Sequence, residues 1–452
     1  MIKFKRKIYQ KLLQWKAESQ GSEALLIEGA RRIGKSTIVE TFAQHEYKSY
    51  ILIDFNDCEA SVKKVFEKMS DLNSFFTTLS YTYGITLHPR DSVIIFDEVQ
   101  KFPKARQSIK KLVKDGRFDY IETGSLISIN ENVKDITIPS EETSIQMYPM
   151  DFEEFCEALG KPSICDYIRE CFGKGEALER SLHNDAMQLF KQYMLIGGMP
   201  QSIVEFLEHT FSFEYSDKRK RSIIALYKKD IQKIKGAYKS KVLSTFLQIP
   251  AFLSKHEKRV SLSRIESGIN TENTYENTFM WLSNSMITNN CLKCSDPNVG
   301  LGLNGDDSAI KCYMGDTGLL FSHAFSENAI ARDSLYKQIM NDKLSINKGM
   351  LYENAIAQML TANGHRLYFY TRYNKELHRN DMEIDFLLSD SASGKVIPIE
   401  VKSSKNYTTS SLTDFKKIYK KRIGKSYIIH PKNYSIKENG TICIPPYMTI
   451  CL

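Results

Sequence analysis

Short apolar runs alternate with amphipathic segments over the first 150 residues. The apolar runs are ALLIEGA, SYILIDFND, SVIIFDEVQ and FDYIETGS. Each run is continuous rather than alternating, which is typical of strands buried on both faces of a parallel sheet. Segments such as KIYQKLLQWKAE and STIVETFAQHE, with apolar residues at helical spacing, separate them. We therefore predict an α/β domain over residues 1–150, with the parallel sheet of a P-loop NTPase.

Helical spacing dominates from residue 151 to about 345. Five segments of this kind, from DFEEFCEAL to SIIALYKKDIQKI, predict helices, and GGMP at 197–200 interrupts them. Three further helical segments, KVLSTFLQIPAFLSKH, SLSRIESGI and TYENTFMWLSNSMI, precede the strand-like NNCLKC. That order fits a winged helix and an ordinary helical bundle equally well. We predict a helical region over residues 151–235 and a winged-helix-like region over residues 236–345.

The pattern changes again over residues 346–452. The helical segment KGMLYENAIAQMLTANG precedes the strand-like RLYFYTRY, EIDFLLSD and KVIPIEVKSS. A helix near LTDFKKIYKK and the strands KSYIIHP and TICIPPYMTI follow. This order predicts a second α/β domain, so the whole chain is assigned to the α/β class.

Composition narrows the compartment. The 452 residues are 42% hydrophobic and 26% charged, as in water-soluble globular proteins. No apolar window is long enough for a transmembrane helix, and the basic N-terminus lacks the apolar stretch of a secretory signal. The nine cysteines have no framework spacing. We expect a cytoplasmic protein that does not associate with membranes.

The net charge of +8 raises the question of nucleic acid. Basic runs occur at 218–221, 228–235 and 416–425. Such runs suit contacts with a phosphate backbone, but they are also common on solvated helix faces. DNA therefore remains one of two interpretations of these runs.

A glycine-rich motif follows the first predicted strand. It fits G-x-x-x-x-G-K-[ST] and opens a helix, which is the context that this phosphate-binding loop requires. Backbone N–H groups at such a loop cradle phosphate oxygens at the positive end of the helix dipole. Lys35 should reach the β- and γ-phosphates of ATP, and Ser36 should bind Mg²⁺. The predicted nucleotide-binding residues are Gly29, Ala30, Arg31, Arg32, Ile33, Gly34, Lys35, Ser36 and Thr37.

Two adjacent acids end the apolar strand SVIIFDE. Asp97 would belong to the Mg²⁺ shell, and Glu98 would orient and deprotonate the attacking water. At the end of the next strand, Thr123 is the preferred γ-phosphate sensor, with Ser125 as the alternative. The sequence identifies no cationic finger, and Arg31, Arg32 and Arg106 are the candidates.

A second set of charged residues lies on two strands near the C-terminus. Glu383 and Asp385 share one face of a strand, as do Glu400 and Lys402 on the next. If the strands pair as a hairpin, Asp385, Glu400 and Lys402 converge, and the intervening apolar residues fill the opposite face. Two carboxylates can hold a divalent cation, and a lysine can activate water for phosphodiester attack.

With Glu353 on the preceding helix, this pattern resembles the PD-(D/E)XK nuclease core. The resemblance assigns metal binding to Glu353, Asp385 and Glu400, and catalysis to Asp385, Glu400 and Lys402. Whether cleavage activity is retained is left open.

Several motifs follow in one order along nearly the whole chain. They are GARRIGKS, IIFDEVQ, TGS, YPMDFEEF, LIGGMPQSI, KCYMGDTGLL, the helix of Glu353 and Asn354, and EIDF with IEVKSS. The order resembles the prokaryotic AAA-type ATPases that carry a C-terminal domain of unknown function. Many members place a Gly-Arg pair before the segment matching Tyr148–Met150, whereas this chain reads SEETSIQ and lacks that arginine.

Two functions remain after these observations. The first is an ATP-driven protein acting on nucleic acid, with metal-dependent nuclease capacity in the C-terminal domain. The second is a regulatory ATPase whose nuclease-like domain serves only as a binding module. Self-association into a homo-oligomer is compatible with both.

Overall fold

The structure is a computed structural model of the chain. It describes residues 2–124, 139–234, 236, 238–255, 258–261, 274–326, 333–341, 343, 347–374, 376, 378–404 and 406–452. Contacts divide the chain into two compact units. The N-terminal unit comprises Lys5–Tyr148 with Asn284–Met286, and the C-terminal unit comprises Met1–Phe4, Pro149–Ser283 and Ile287–Leu452.

A five-stranded parallel sheet forms the centre of the N-terminal unit. Its strands are β1 (Ala24–Glu28), β2 (Ser49–Asp54), β3 (Ser92–Asp97), β4 (Asp119–Gly124) and β5 (Glu142–Gln146). The spatial order is β2-β3-β4-β1-β5. Every residue of β1, β3 and β4 is buried, so the predicted parallel sheet is confirmed. Strand β5 was not predicted, because it is a polar edge strand with no buried residue.

Helices cover this sheet. They are α1 (Ile8–Ser19), α2 (Lys35–Glu46), α3 (Ala60–Val65), α4 (Leu72–Tyr83) and α5 (Pro103–Asp115), with short 3₁₀ turns at Phe66–Lys68 and Val99–Lys101. Helix α5 places Ile109 and Leu112 against Ile94 and Phe96 of β3 in one apolar cluster. Burial of this kind stabilises the sheet by about 25 cal/mol per Å² of apolar surface.

The predicted helical middle of the chain is confirmed. Its helices are α6 (Phe152–Ala158), α7 (Ser163–Lys174), α8 (Arg180–Ile196), α9 (Pro200–Glu208), α10 (Phe213–Ile231), α11 (Tyr238–Ser254) and α12 (Thr274–Asn284). Gly197 follows α8 with φ +82°, so the GGMP segment ends that helix as predicted. The helix predicted over SLSRIESGI covers residues 261–269; Ser261 ends a short strand, and 262–269 lie outside the described residues.

The C-terminal unit contains a nine-stranded mixed sheet. Its strands are β6 (Arg259–Ser261), β7 (Thr288–Cys294), β8 (Gly305–Met314), β9 (Tyr368–Asn374), β10 (Arg379–Asp390), β11 (Lys395–Val401), β12 (Tyr427–Ile429), β13 (Ser435–Ile436) and β14 (Ile442–Ile444). The order is β13-β14-β12-β11-β10-β9-β7-β8-β6. The parallel pairing of β7 with β9 therefore joins strands from both sides of the predicted boundary at residue 345. The four-part division of the chain stays a prediction.

Four more helices belong to this unit. They are α13 (Thr317–Ala324), α14 (Asp333–Met340), α15 (Lys348–Ala362) and α16 (Ser410–Ile418), with 3₁₀ turns at Leu301–Asn304 and Pro446–Cys451. Helix α15 is buried along nearly its whole length. Among the described residues, no helix has the length and apolar character needed to span a membrane.

Candidate functional site

The predicted phosphate-binding loop connects β1 to α2 and has the backbone that its glycines allow. Gly34 has φ +95°, which side-chain-bearing residues rarely adopt. A Cβ atom on Gly29 would lie 2.5 Å from the carbonyl oxygen of Met147, so this position has no room for a side chain. Both glycines are thus needed for the loop to turn tightly into the helix N-terminus.

Lys35 is the first residue of α2 and is 6% exposed. Its Nζ donates hydrogen bonds to the carbonyl oxygens of Gly29 and Ala30, each at 2.9 Å. Within the described chain, no carboxylate lies at ion-pair distance from it. Burial lowers the pKa of Lys35 to about 8, although Glu98 and Asp97 oppose the shift. The ammonium group is therefore held by neutral acceptors and lacks a negative partner.

Three oxygen-bearing side chains meet beside this lysine. The Ser36 hydroxyl donates to Asp97 Oδ1 at 2.9 Å, and the Thr123 hydroxyl donates to the same oxygen. Thr123 reaches this position because β4 is hydrogen-bonded to both β1 and β3. A hydroxyl and a carboxylate this close are the oxygen donors that Mg²⁺ prefers, so Ser36 and Asp97 fit the predicted metal. Ser125 lies outside the described residues.

Glu98 follows directly with an unusual backbone. Its φ of 53° and ψ of 46° lie in the left-handed region, which is uncommon for a residue with a side chain. Its carboxylate accepts a hydrogen bond from the Gln100 side chain, and its N–H donates to the Thr123 hydroxyl at 3.3 Å. The turn thus carries local strain next to the phosphate loop, as functional sites often do.

Sequence reasoning missed a residue that supports the loop. Arg6 is 9% exposed and donates to the carbonyl oxygens of Ile33 at 2.8 Å and Tyr148 at 2.7 Å. In the sequence, Arg6 stands out only as one of several basic residues near the N-terminus. Its partners lie 27 and 142 residues away along the chain. No local pattern could have identified it.

Arg106, a candidate for the cationic finger, forms an ion pair inside the N-terminal unit. Its guanidinium makes two hydrogen bonds to Glu142 of β5, at 2.7 and 3.2 Å, and it is 6% exposed. The neighbouring Glu122 is fully buried, and burial raises its pKa well above the usual range. Arg106 therefore neutralises a buried carboxyl cluster, and this pairing removes it from the candidates for a cationic finger. Arg31 and Arg32 stay candidates.

The second candidate site lies on β10, β11 and α15 of the C-terminal unit. The two strands pair antiparallel with Phe386 opposite Ile399, so the predicted hairpin is present. Lys402 Nζ lies 3.0 Å from Glu400 Oε2, and Asp385 Oδ2 accepts a hydrogen bond from the Val401 N–H at 2.9 Å. The structure thus brings Asp385, Glu400 and Lys402 together.

A lysine that the sequence did not single out occupies the centre of this site. Lys311 of β8 is 0% exposed, and its Nζ lies 2.8 Å from Glu383 Oε1, 3.2 Å from Asp385 Oδ1 and 3.3 Å from Glu353 Oε1. Lys258 binds the other oxygen of Glu353, and the Tyr313 hydroxyl donates to Oε1.

The charges in this cluster depend on one another. Burial would lower the pKa of Lys311, but its three carboxylate partners outweigh burial and raise the pKa well above its usual value. Burial would likewise raise the pKa of Glu353, but Lys258 and Lys311 lower it to about 2. The Lys311 ammonium group lies among Glu353, Glu383 and Asp385, and Glu400 is paired with Lys402. The predicted metal ligands Glu353, Asp385 and Glu400 as arranged therefore do not fit a divalent cation.

Three of the motifs behind the family resemblance, YPMDFEEF, LIGGMPQSI and KCYMGDTGLL, meet in a tightly packed junction of the C-terminal unit. The Met150 N–H donates to Gly198 O at 2.7 Å, and the Gly198 N–H donates to Asp316 Oδ2 at 2.5 Å. A Cβ atom on Gly198 would lie 1.9 Å from Met150 O. Gln358 of α15 also donates to Asp316, at 3.3 Å. These motifs therefore position α15, which carries Glu353.

The basic runs differ in how they are used. The run at 218–221 is internally paired. Its partners are Glu214 for Lys218, Glu205 for Arg219, Tyr336 and the Leu195 carbonyl for Lys220, and Asp217 for Arg221. In the run at 416–425, by contrast, Lys417, Lys420, Lys421 and Lys425 are exposed. In the run at 228–235, Lys229 and Lys233 are exposed, and Lys233 pairs with Asp230. Among the described residues, the run at 416–425 presents the larger group of solvent-facing lysines.

The loop, the paired acids and the β2-β3-β4-β1-β5 sheet define the P-loop class of nucleotide-binding folds. Residues 21–156 match the sequence family described as an AAA domain. The N-terminal unit therefore has the fold of an AAA-type P-loop ATPase. Residues 187–328 and 348–449 match two families described as domains of unknown function, DUF8612 and DUF4143.

Searches of known proteins add only distant similarity. No curated protein matches the chain. The Walker-type ATPase PABY2304 of Pyrococcus abyssi is 15% identical over 71% of this chain and 96% of its own, with a TM-score of 0.42. Drosophila ORC bound to DNA is 13% identical over 75% and 95%, with a TM-score of 0.28. Protein VC1899 from Vibrio cholerae is 9% identical over 95% of both chains, with a TM-score of 0.17.

Proposed function

We propose that the protein binds ATP with Mg²⁺ at the loop between β1 and α2 and hydrolyses it. The observation that carries this proposal is Lys35, a buried ammonium group held by the Gly29 and Ala30 carbonyls, with no carboxylate at ion-pair distance among the described residues. Burying such a charge is costly unless a partner compensates it. The β- and γ-phosphates of a nucleotide supply that partner.

The other residues take roles that follow from their positions. The amides of the loop bind phosphate oxygens, and Ser36 and Asp97 would hold Mg²⁺, which neutralises phosphate charge when it is bound. Glu98 orients the attacking water and accepts its proton, with Gln100 fixing the carboxylate. Thr123 contacts both Asp97 and the Glu98 N–H, so it can relay the state of the γ-phosphate to this turn.

Steady-state ATP hydrolysis tests the proposal. Lys35→Ala should abolish nucleotide binding, whereas Glu98→Gln should leave binding within about threefold and lower kcat by at least about 100-fold. Lys16→Ala is the control, because Lys16 contacts the Glu46 carbonyl and the Tyr47 ring at the far end of α2. Equal turnover in all three variants and the wild type would refute hydrolysis at this loop.

For the C-terminal domain we favour the binding-module hypothesis, and nucleic acid is the ligand we propose. The exposed Lys417, Lys420, Lys421 and Lys425 support it, because solvent-facing cations close together in the sequence suit a phosphate backbone. Metal-dependent cleavage is less well supported, since Lys311 lies among the carboxylates that would bind the metal.

Binding of labelled duplex and single-stranded DNA at several salt concentrations tests this second hypothesis. The double substitution Lys420→Glu/Lys421→Glu should weaken binding at least about tenfold and reduce the salt dependence. Lys110→Glu/Lys114→Glu, on exposed positions of α5, is the charge-matched control. If both double variants weaken binding equally, the effect is one of net charge and the proposed surface is wrong.

A further inference from the structure

The C-terminal cluster is built around an ammonium group instead of an open space. Three carboxylate oxygens, one from α15 and two from β10, lie 2.8–3.3 Å from Lys311 Nζ. Two of these carboxylates, Glu353 and Asp385, are the ones that a nuclease-like arrangement would use for metal. The lysine comes from β8, so sheet pairing and not local sequence places it there.

A metal ion bound by these carboxylates would lie close to the ammonium group of Lys311. Carboxylate oxygens bind Mg²⁺ at about 2.0–2.1 Å in an octahedral shell. An ion bound in that way to Glu353 and Asp385 would lie next to Nζ, and two cations at that separation repel strongly in a buried site. The metal and the lysine therefore compete for the same oxygens.

The charge balance of the cluster points the same way. The four carboxylates Glu353, Glu383, Asp385 and Glu400 face three ammonium groups, those of Lys258, Lys311 and Lys402. Little negative charge is left for a divalent ion to neutralise. Loss of one ammonium group would restore the charge that a metal needs.

From this arrangement we infer that Lys311 substitutes for a divalent cation in the C-terminal cluster, so that the native site excludes metal and residue 311 decides whether a metal can bind. The cluster is then held together by its own charges. The inference is independent of ATP hydrolysis and holds whether or not the loop of the N-terminal unit binds nucleotide.

Manganese binding to the full chain, measured by calorimetry and by electron paramagnetic resonance without nucleotide, tests the native state. Asp97→Asn serves as the background, because it disables the metal position at the phosphate loop. The Asp97→Asn protein and the Asp97→Asn/Asp385→Asn protein should bind Mn²⁺ equally weakly. Tight binding that disappears with the Asp385 substitution would overturn the inference.

Removing the lysine tests the gain of a site. In the same background, Lys311→Ser should bind one Mn²⁺ at least about tenfold more tightly, and adding Asp385→Asn should remove it. Lys293→Ser is the matched control, because Lys293 also pairs with a carboxylate, at 2.6 Å from Asp306, but lies outside the cluster. It should bind no additional Mn²⁺.

A folding defect does not leave the question open. Lys311→Ser/Glu383→Gln removes one charge of each sign, so the net charge of the cluster is unchanged while the position between Glu353 and Asp385 is vacated. It should also gain Mn²⁺, but less tightly than Lys311→Ser. Binding by either folded variant supports the inference, and failure of every folded variant to bind overturns it. If neither variant folds, the Mn²⁺ affinities of Asp97→Asn and Asp97→Asn/Asp385→Asn, which both keep Lys311, decide the question.

Discussion

Both candidate sites contain a buried lysine near carboxylates, but one lysine is held by neutral carbonyl oxygens and the other by charged carboxylates. Lys35 donates to two carbonyl oxygens, and its pKa is lowered to about 8 by burial. Lys311 lies against three carboxylates, and its pKa is raised. Among the described residues, the first ammonium group has no carboxylate at ion-pair distance, whereas the second has three.

The difference shows that residue type alone does not identify a ligand site. A lysine and two acids in each region suggested phosphate and metal chemistry in both. The partners of each lysine separate them, because an uncompensated buried charge favours an incoming anion and a compensated one stabilises the fold. The comparison can be tested by removing each charge in turn.

The largest expected effect is on stability. Lys311→Ala leaves buried carboxylates without their partner and should destabilise the C-terminal unit by about 3–5 kcal/mol. Lys35→Ala removes a charge whose hydrogen bonds go to two neutral carbonyls, and should change the stability of the nucleotide-free N-terminal unit by no more than about 1 kcal/mol.

The two tryptophans of the chain allow these effects to be measured separately. Trp15 lies in the N-terminal unit and Trp281 in the C-terminal unit. Urea unfolding of Trp281→Phe and Trp15→Phe backgrounds therefore reports one unit at a time. Comparable destabilisation by Lys35→Ala and Lys311→Ala would remove the distinction between the sites.

The sequence predicted the first site far better than the second for a physical reason. Gly29–Thr37 are contiguous, and their conformation depends on the strand and helix on either side, which the local pattern also shows. Asp97 follows from a continuous apolar strand. Lys311 of β8, in contrast, reaches Glu383 and Asp385 of β10 through the sheet order β10-β9-β7-β8, which no spacing along the chain indicates.

Strand β5 and Arg6 were missed for related reasons. The segment ETSIQ is polar because β5 is an edge strand, so it has no apolar run. Arg6 was one of several basic residues near the N-terminus, and its value lies in the carbonyls it meets after folding. The nuclease-like hairpin was predictable because alternating charge and apolar residues define its two faces.

The next expected effect concerns Arg106, which resembles Lys311 in neutralising buried acids. Arg106→Ala should destabilise the N-terminal unit by about 2–3 kcal/mol. The effect is smaller than that of leaving a buried carboxylate fully charged and unpaired, because Glu142 and Glu122 can share a proton. Urea unfolding followed by Trp15 measures it. If Arg106 were instead a cationic finger, the substitution would lower kcat by about 1000-fold and leave the nucleotide-free stability unchanged.

The smallest effect is the pH dependence of nucleotide binding. The pKa of Lys35 is about 8 in the free protein, and a bound polyphosphate favours its charged form. Binding must therefore be accompanied by proton uptake above pH 8, and ATP affinity should fall by up to about tenfold, or about 1.4 kcal/mol, for each further pH unit. Below pH 7.5 the lysine is mostly charged, so its contribution to ATP affinity should not change with pH.

Calorimetry in buffers of different ionisation enthalpy measures both affinity and proton uptake. Lys35→Arg is the control, because a guanidinium keeps its charge across this range and should show no such slope. Wild-type affinity that stays constant from pH 7.5 to 9.5 would mean that Lys35 has a compensating partner after all, and the contrast with Lys311 would fail.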